Sequence, residues 1–204
     1  MKLHLPRVLQ GEVMEISKQW LKENDACSDG IELFEKNTIT DVHELVNILI
    51  EGTSAASSLP KRRRLEWANW LLSRALTREN RIRYAVFATR QVLHIYEDRY
   101  PDDNRIRAAI DAAEAVCETD NHKTRAAADA AADAAAYAAD AAADAAAYAA
   151  ADAAYAAAYA AYAAADAAYA AYAAADAAAD AAAHAAEWGT TMINILQYGL
   201  TLLE

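Results

Sequence analysis

Between residues 126 and 187 the sequence is almost all alanine, interrupted by aspartate, tyrosine, one histidine and a final glutamate. The interruptions recur every three or four residues, and at about 100° per residue they all fall within an arc of roughly 160° on an α-helix. Such a face can bind a cationic partner, because tyrosine offers a large rigid contact area and aspartate offers charge. We call it the Asp/Tyr stripe, and its members are Asp129, Asp133, Tyr137, Asp140, Asp144, Tyr148, Asp152, Tyr155, Tyr159, Tyr162, Asp166, Tyr169, Tyr172, Asp176, Asp180, His184 and Glu187.

The tyrosines are densest between residues 155 and 172, and this part of the stripe is the predicted contact surface for a partner. The predicted partner-binding residues are Tyr155, Tyr159, Tyr162, Asp166, Tyr169, Tyr172 and Asp176. His184 shares the face with Asp180 and Glu187, which could hold a cation weakly. Because a lone histidine is a signal of low specificity, no metal site is predicted.

Two structural interpretations of the stripe stand beside the binding hypothesis. In the first, the methyl face of the helix is buried and the stripe is the solvated side. In the second, the stripe points inward and pairs with the arginine-rich segment between residues 61 and 107, since arginine forms forked pairs with carboxylates. A solvated side selected for solubility alone would normally use glutamate, lysine and glutamine, which the stripe largely lacks.

A second group of residues could bind phosphate. Arginines with nearby tryptophans can hold a phosphorylated nucleotide by forked hydrogen bonds and stacking. This alternative ligand site consists of Arg62, Arg63, Arg74, Arg81, Arg90, Trp67 and Trp70. The simpler interpretation is that Lys61–Arg64 is the solvated start of a helix or a partner for acidic side chains, and that the tryptophans belong to the core.

The sequence has no motif of a known reaction type. It lacks a GxSxG nucleophile motif, a glycine loop for phosphate and an HExxH zinc motif. Cys27 and Cys117 have no metal-type spacing and are expected to be free thiols in a reducing cytoplasm. We therefore predict a cytoplasmic protein that is not an enzyme and has no cofactor.

Charge is unevenly distributed along the chain. Residues 1–125 hold 19 basic and 20 acidic residues, whereas residues 126–204 hold 10 acidic residues and no lysine or arginine. An anionic surface repels nucleic acid and anionic membranes and attracts basic proteins. The predicted partner is therefore a protein with a basic surface, with no direct binding of nucleic acid or membrane.

The low glycine and proline content and the 3.6-residue periodicity predict an all-α fold, a helical bundle with a long alanine-rich C-terminal helical region. Two regions are expected to pack as one domain: residues 1–125, which are charge-balanced, and residues 126–204, which hold the striped helices and an amphipathic C-terminal helix. A break in the alanine segment is predicted near residues 149–154, and Gly189 is predicted to mark a kink or helix end. The other predicted helices cover residues 12–24, 31–34, 42–50, 65–75 and 78–99, and a further one starts at 100–104 and has its apolar face at 109–117. Turns are predicted at 24–25, 28–30 and 119–124 and a loop at 52–60.

Three stretches resemble one protein family. They are Trp67-x-x-Trp70-Leu71-Leu72, the run from Arg83 to Leu93, and Tyr100-Pro101-Asp102-Asp103-x-Arg105-x-Arg107-x-Ala109-Ile110-x-Ala112-Ala113. Together with the alanine tract, roughly residues 60–200 resemble the alanine-rich immunity proteins of bacteria and phages, whose role is assigned from genome context. The family often has proline between the two arginines, where this chain has Ile106.

The resemblance implies a helical protein that neutralises a toxin or defence effector by binding it. The main functional prediction is thus a non-catalytic immunity or counter-defence protein that sequesters its partner through the acidic Tyr/Asp face. The first alternative is a sponge for a small phosphorylated nucleotide bound by the arginine and tryptophan residues. The second is a structural protein that assembles into a homo-oligomer through its alanine face.

Overall fold

The computed structural model describes residues 15–37, 39–144, 152, 155–156, 159, 173–175, 177–178, 180–181 and 188–203. The protein is an all-α helical bundle, as predicted. The helices are α1 Lys18–Glu23, α2 Ser28–Asn37, α3 Val42–Glu51, α4 Lys61–Ala75, α5 Arg78–Arg99, α6 Arg105–Glu118, α7 His122–Asp144 and α8 Trp188–Thr201, with a 3-10 helix at Ser54–Ser58. The described residues between 152 and 181 are also helical.

Short polar side chains fix where the first helices begin. The Ser17 hydroxyl accepts a hydrogen bond from the Trp20 backbone N–H at 3.1 Å, which caps α1. The Asp41 carboxylate accepts one from the Glu44 N–H at 2.9 Å, which caps α3. Each bond satisfies a donor that has no partner within the helix. Asp41 is therefore the N-cap of α3.

The prediction of a helix over residues 12–24 is wrong at its beginning within the described residues. α1 starts at Lys18, and Ile16 lies in an extended segment whose N–H donates to the Thr40 carbonyl at 2.7 Å. This extended pairing buries the Ile16 side chain to 2% exposure. Ile16 reaches the core by pairing with a distant segment, which helical periodicity cannot reveal.

Three shorter predictions need correction in detail. The predicted turn at Ser28–Gly30 is the first turn of α2, where the acidic Asp29 is favoured by the helix dipole. The predicted loop at residues 52–60 contains the 3-10 helix. The predicted turn at 119–124 is shorter, because α7 already begins at His122. Gly189, predicted to mark a kink or helix end, is the second residue of α8, and residues 182–187 before this helix lie outside the described part of the chain.

The core is organised around α5, whose bounds match the predicted segment 78–99. This helix packs against α6 and α8, and α8 also packs against α4 and α3. Two tyrosines of α5, Tyr84 and Tyr96, are at most 1% exposed. The predicted apolar face is buried throughout, and its members are Ile82, Ala85, Val86, Thr89, Val92, Leu93 and Tyr96.

The alanine-rich helix α7 packs along α6, to which a short turn joins it. Methyl groups meet from both sides, because Ala109 and Ala113 of α6 are fully buried, as is a row of alanines on α7. Small side chains let two helix backbones approach closely, although each contributes little buried area. The buried alanines of α7 are Ala128, Ala132, Ala135 and Ala138, each at most 1% exposed.

Helix α8 returns to the core, as predicted, through Met192, Ile195, Leu196 and Leu200. Tyr198 stacks on Phe87 of α5, with ring centroids 4.0 Å apart. The close approach of α8 depends on a residue without a side chain. A Cβ atom on Gly199 would lie 2.7 Å from Tyr84 Cε2 and 2.9 Å from Leu72 Cδ1.

We expect the Gly199→Ala substitution to lower the free energy of unfolding by about 1–2 kcal/mol, because overpacking outweighs the gain in helix propensity. Both neighbouring side chains are fully buried, so close packing resists their movement. Gly189→Ala is the matched control: its Cβ would meet only the mobile end of Lys61, with Nζ at 3.1 Å. Denaturant unfolding of both variants measures the difference, and equal stabilities would contradict the close packing of α8.

Candidate functional site

The first part of the Asp/Tyr stripe faces solvent on α7. Asp129 and Asp133 are exposed, and the Tyr137 side chain is 71% exposed. The alanines on the opposite side of this helix are buried. The solvated-side interpretation is therefore confirmed for these three residues, which we call the α7 stripe. They form an exposed anionic surface that carries one large aromatic ring.

The predicted partner-binding residues lie further along the chain, and only two of them are described. Tyr155 and Tyr159 are both half-buried, and their rings stack with centroids 6.4 Å apart. Tyr162, Asp166, Tyr169, Tyr172 and Asp176 lie outside the described residues, as do His184 and Glu187. In the predicted break at 149–154, only Asp152 is described, and it is helical.

Near its end the stripe meets the arginine-rich helix α4. The Arg62 guanidinium donates to the Asp180 carboxylate at 3.2 Å and to Glu66 at 2.9 Å. The same guanidinium lies 4.9 Å from the centroid of the Trp188 ring, at the start of α8. The predicted pairing with the arginine-rich segment thus occurs at Asp180, although both side chains stay exposed, 58% for Arg62 and 42% for Asp180, so this carboxylate does not point inward.

The remaining residues of the predicted arginine and tryptophan site are distributed along α4 and α5. Arg63 lies over Trp67 at 5.5 Å from the ring centroid and pairs with Asp29 at 3.4 Å. Arg74 lies over Trp70 at 4.5 Å. A separate guanidinium group thus lies over each of the two tryptophan rings, Trp67 and Trp70.

Arg81 and Arg90 of α5 have separate surroundings. The Arg81 guanidinium donates to the Arg74 carbonyl at 3.1 Å, and burial lowers its pKa. Arg90 donates twice to one Glu114 oxygen of α6, at 2.9 and 2.7 Å. Within the described part of the chain, the seven residues therefore occupy several places. Four of the five arginines meet carboxylates or tryptophan rings, and Arg81 meets a backbone carbonyl.

Trp67 and Trp70 do line a cavity, of about 330 Å³, which we call the tryptophan cavity. Its walls are mostly apolar and come from α1, α2, α3 and α4. Its charged lining consists of Asp25 and Glu66, and the exposed thiol of Cys27 is also part of the wall. None of the five predicted arginines belongs to this lining. The cavity's charge thus opposes a phosphate group.

The basic run Lys61–Arg64 opens α4, in agreement with the simpler interpretation of the sequence. Its last member has a structural role, because Arg64 Nη1 donates to the carbonyls of Leu49 and Ile50 at 2.7 and 3.1 Å. These carbonyls belong to the last turn of α3, where they have no partner within the helix. The run therefore joins α4 to α3.

The Pro-Asp-Asp-x-Arg-x-Arg motif also has a structural role, at the junction of α5 and α6. The Asp103 carboxylate accepts hydrogen bonds from Arg105 Nε at 2.9 Å, from the Arg105 N–H at 3.0 Å and from the Tyr96 hydroxyl at 2.8 Å. The Arg105 side chain holds the pKa of Asp103 well below its usual range. Burial, with the bond to Asp103, raises the pKa of Tyr96 to about 12. Arg107 pairs with Glu97 at 2.6 Å, which joins the two helices a second time.

Cys27 and Cys117 are both free, as predicted, and burial raises the pKa of the Cys117 thiol. In the described ranges, no three histidine, cysteine, aspartate or glutamate side chains are grouped so that they could hold a metal ion. Among the same residues, no helix combines the length and apolar character that crossing a membrane requires.

In the comparisons with known proteins, the chain matches no family model, no curated protein and no solved structure. The resemblance to the alanine-rich immunity proteins therefore rests on the motifs of residues 60–200 alone.

Proposed function

We propose that this chain is a non-catalytic binding protein of the immunity or counter-defence type, which sequesters a basic protein partner through its acidic, tyrosine-bearing helical face. The observation that carries the proposal is the 71% exposure of Tyr137 in line with the exposed Asp129 and Asp133. A large aromatic side chain on a solvated anionic surface is typical of a contact site, because its burial on binding provides most of the affinity.

Charge distribution supports the same partner. Residues 126–204 hold 10 acidic residues and no lysine or arginine. A surface with charges of one sign attracts partners of opposite charge and repels partners of the same charge. Arg63 and Arg90 of the neighbouring helices pair with Asp29 and Glu114, and Arg62 pairs with Asp180, away from the α7 stripe. A toxin or effector that uses a basic groove would be masked by such a face.

The α7 stripe is also separate from the packing that holds the fold together. The methyl groups of α7 are buried in the core, so this part of the alanine face is already occupied within the chain. Assembly through the alanine face would therefore need other alanines. The sponge alternative would need an anion site away from the tryptophan cavity, whose charged lining is acidic.

The test first uses the wild type and Asp129→Asn/Asp133→Asn as bait to capture partners from host cells. Each protein is then titrated with the captured partner. We expect affinity to fall about tenfold, because two charges facing a basic surface are lost. The wild-type affinity should also fall steeply between about 50 and about 500 mM salt, and the variant should show a weaker dependence. The matched control is Asp98→Asn/Asp102→Asn, which removes the same charge from exposed positions outside the stripe.

Equal losses in the two double variants would refute a specific role for the α7 stripe. Native mass measurement before and after denaturation separates the alternatives. A nucleotide released at near-stoichiometric amount would contradict sequestration of a protein and favour the arginine site. A mass that rises with concentration, without any ligand, would favour structural assembly.

A further inference from the structure

We propose that the tryptophan cavity is a second binding site, which takes small apolar amines with the ammonium group at the Asp25 carboxylate. Its volume of about 330 Å³ lies at the lower end of the range found for small-molecule sites. Apolar and aromatic walls with a few convergent polar groups are the usual composition of such sites. This inference is independent of the α7 stripe, which lies on another helix.

The walls suit an apolar body that carries a cation. Leu21, Phe34 and Leu45 come from three different helices and supply aliphatic and aromatic surface, which Trp67 and Trp70 extend from α4. Arg63 and Arg74 already lie over these two indole rings, so the rings mainly supply apolar contact and the carboxylate of Asp25 meets the charged end. An apolar ligand would therefore lose water on entry while its charged end keeps favourable contacts.

The charged residues of the lining favour one sign of charge on the ligand. Asp25 and Glu66 are the charged residues in the wall, and Glu66 is paired with Arg62 at 2.9 Å. The Asp25 carboxylate is exposed and takes part in no ion pair among the described residues. Arg63 and Arg74 lie over the tryptophan rings outside the lining, and Arg74 Nε donates to the carbonyl of Asn24, next to Asp25, at 3.2 Å. The preference for an ammonium group over a carboxylate therefore depends on the Asp25 carboxylate and acts where the ligand's end group meets it.

The backbone at Asp25 gives an independent argument. Asp25 has a φ of 61°, in the left-handed region, and follows Asn24, the C-cap of α1. The N–H of Ala26 donates to the Leu21 carbonyl and that of Asp25 to the Lys22 carbonyl, at 2.9 and 3.3 Å. This arrangement is a Schellman motif, in which glycine is the usual residue at the left-handed position. Glycine would be more stable at this position, and the aspartate that stands there instead puts a carboxylate at the cavity wall.

The proposal is tested with three ligands that share one skeleton and differ in the end group: 4-phenylbutylamine, 4-phenylbutan-1-ol and 4-phenylbutyrate. Tryptophan fluorescence of the full chain measures binding. Protection of Cys27 from reaction with iodoacetamide shows that the ligand is bound in the tryptophan cavity. Cys117 is the internal reference, because it lies outside the cavity. We expect the amine to bind with a Kd of about 0.1–1 mM, as its size allows. The alcohol should bind about tenfold more weakly and the carboxylate more weakly still.

Two variants distinguish the effect of losing the Asp25 charge from an effect on protein stability. Asp25→Asn keeps a residue that tolerates the left-handed conformation, so the roughly tenfold advantage of the amine over the alcohol should disappear while the alcohol binds as before. Asp25→Gly should remove the same advantage and raise Tm by about 2–4 °C, because glycine relieves the strained conformation. A loss of amine binding in a more stable protein cannot come from unfolding.

Gly30→Leu tests the position of the site. Gly30 lines the cavity within α2, and a Cβ atom there would lie 3.4 Å from Cys27 Sγ, an ordinary contact. A leucine side chain should fill the space and weaken all three ligands at least about tenfold. The proposal is overturned if the three ligands bind equally or not at all, if the preference for the amine survives Asp25→Asn, or if Gly30→Leu leaves binding unchanged.

Discussion

Replacing Tyr84 by alanine is expected to lower the free energy of unfolding by about 3–5 kcal/mol, as for other large aromatic residues in cores. The Tyr84 side chain is 0% exposed and lies where α5 meets α8, beside Gly199. Its hydroxyl donates to Asn69 Oδ1 of α4 at 2.9 Å, and burial raises its pKa far above the ordinary value. One side chain thus fills the contact of three helices. Chemical unfolding followed by circular dichroism measures the loss.

Two further variants separate the contributions of volume and hydrogen bond. Tyr84→Phe keeps the ring and removes the donor to Asn69, so it should cost only about 1–2 kcal/mol. Tyr137→Ala makes the same chemical change as Tyr84→Ala at an exposed position, and its effect on stability should stay within about 0.5 kcal/mol. A Tyr84→Ala protein as stable as the Tyr137→Ala protein would show that α8 does not pack on α5 as described.

The elements predicted best are those whose signal is local. The bounds of α5 agree with the predicted segment 78–99, because its apolar face repeats at helical spacing for six turns and the segment following it contains Pro101. The start of α1 is harder to predict from the sequence, since Ile16 is extended and pairs with Thr40. That contact joins residues far apart in the sequence, and no periodicity encodes it.

The same distinction applies to the candidate sites. The helical period places Asp129, Asp133 and Tyr137 on one face, and the burial of the alanines then determines that this face is solvated. The pairing of Asp180 with Arg62 spans 118 residues and depends on how the bundle closes. The stripe could therefore be predicted from sequence, whereas its surroundings along the helix could not.

The tryptophan cavity could not be predicted from the sequence. The sequence grouped Trp67 and Trp70 with arginines, because these residues are near each other along α4 and α5. The fold instead places the tryptophans beside Asp25 and Cys27, from the connection between α1 and α2. The one local signal was the turn chemistry of Asn24-Asp25, which indicates a bend but not the cavity that the bend borders.

Tyr137→Ala is expected to weaken binding of the basic partner by about 30-fold while leaving the helical content and Tm unchanged. A ring that is 71% exposed in the free protein and covered in the complex would remove a large apolar area from water, and truncation of such a central aromatic side chain typically costs about 2 kcal/mol or more. The prediction depends on the proposed function and is measured by titration calorimetry with the captured partner.

Tyr137→Phe is the matched control for this measurement, because it keeps the ring and removes only the hydroxyl. It should retain affinity to within about fivefold, since the remaining contact is mostly apolar. If Tyr137→Ala binds like the wild type while Asp129→Asn/Asp133→Asn does not, the stripe attracts its partner by charge alone and the tyrosine is not a contact residue. If Tyr137→Ala loses binding while Asp129→Asn/Asp133→Asn binds like the wild type, the partner need not have a basic surface. Only losses in both variants agree with an anionic face that steers the partner with its carboxylates and holds it with its aromatic ring.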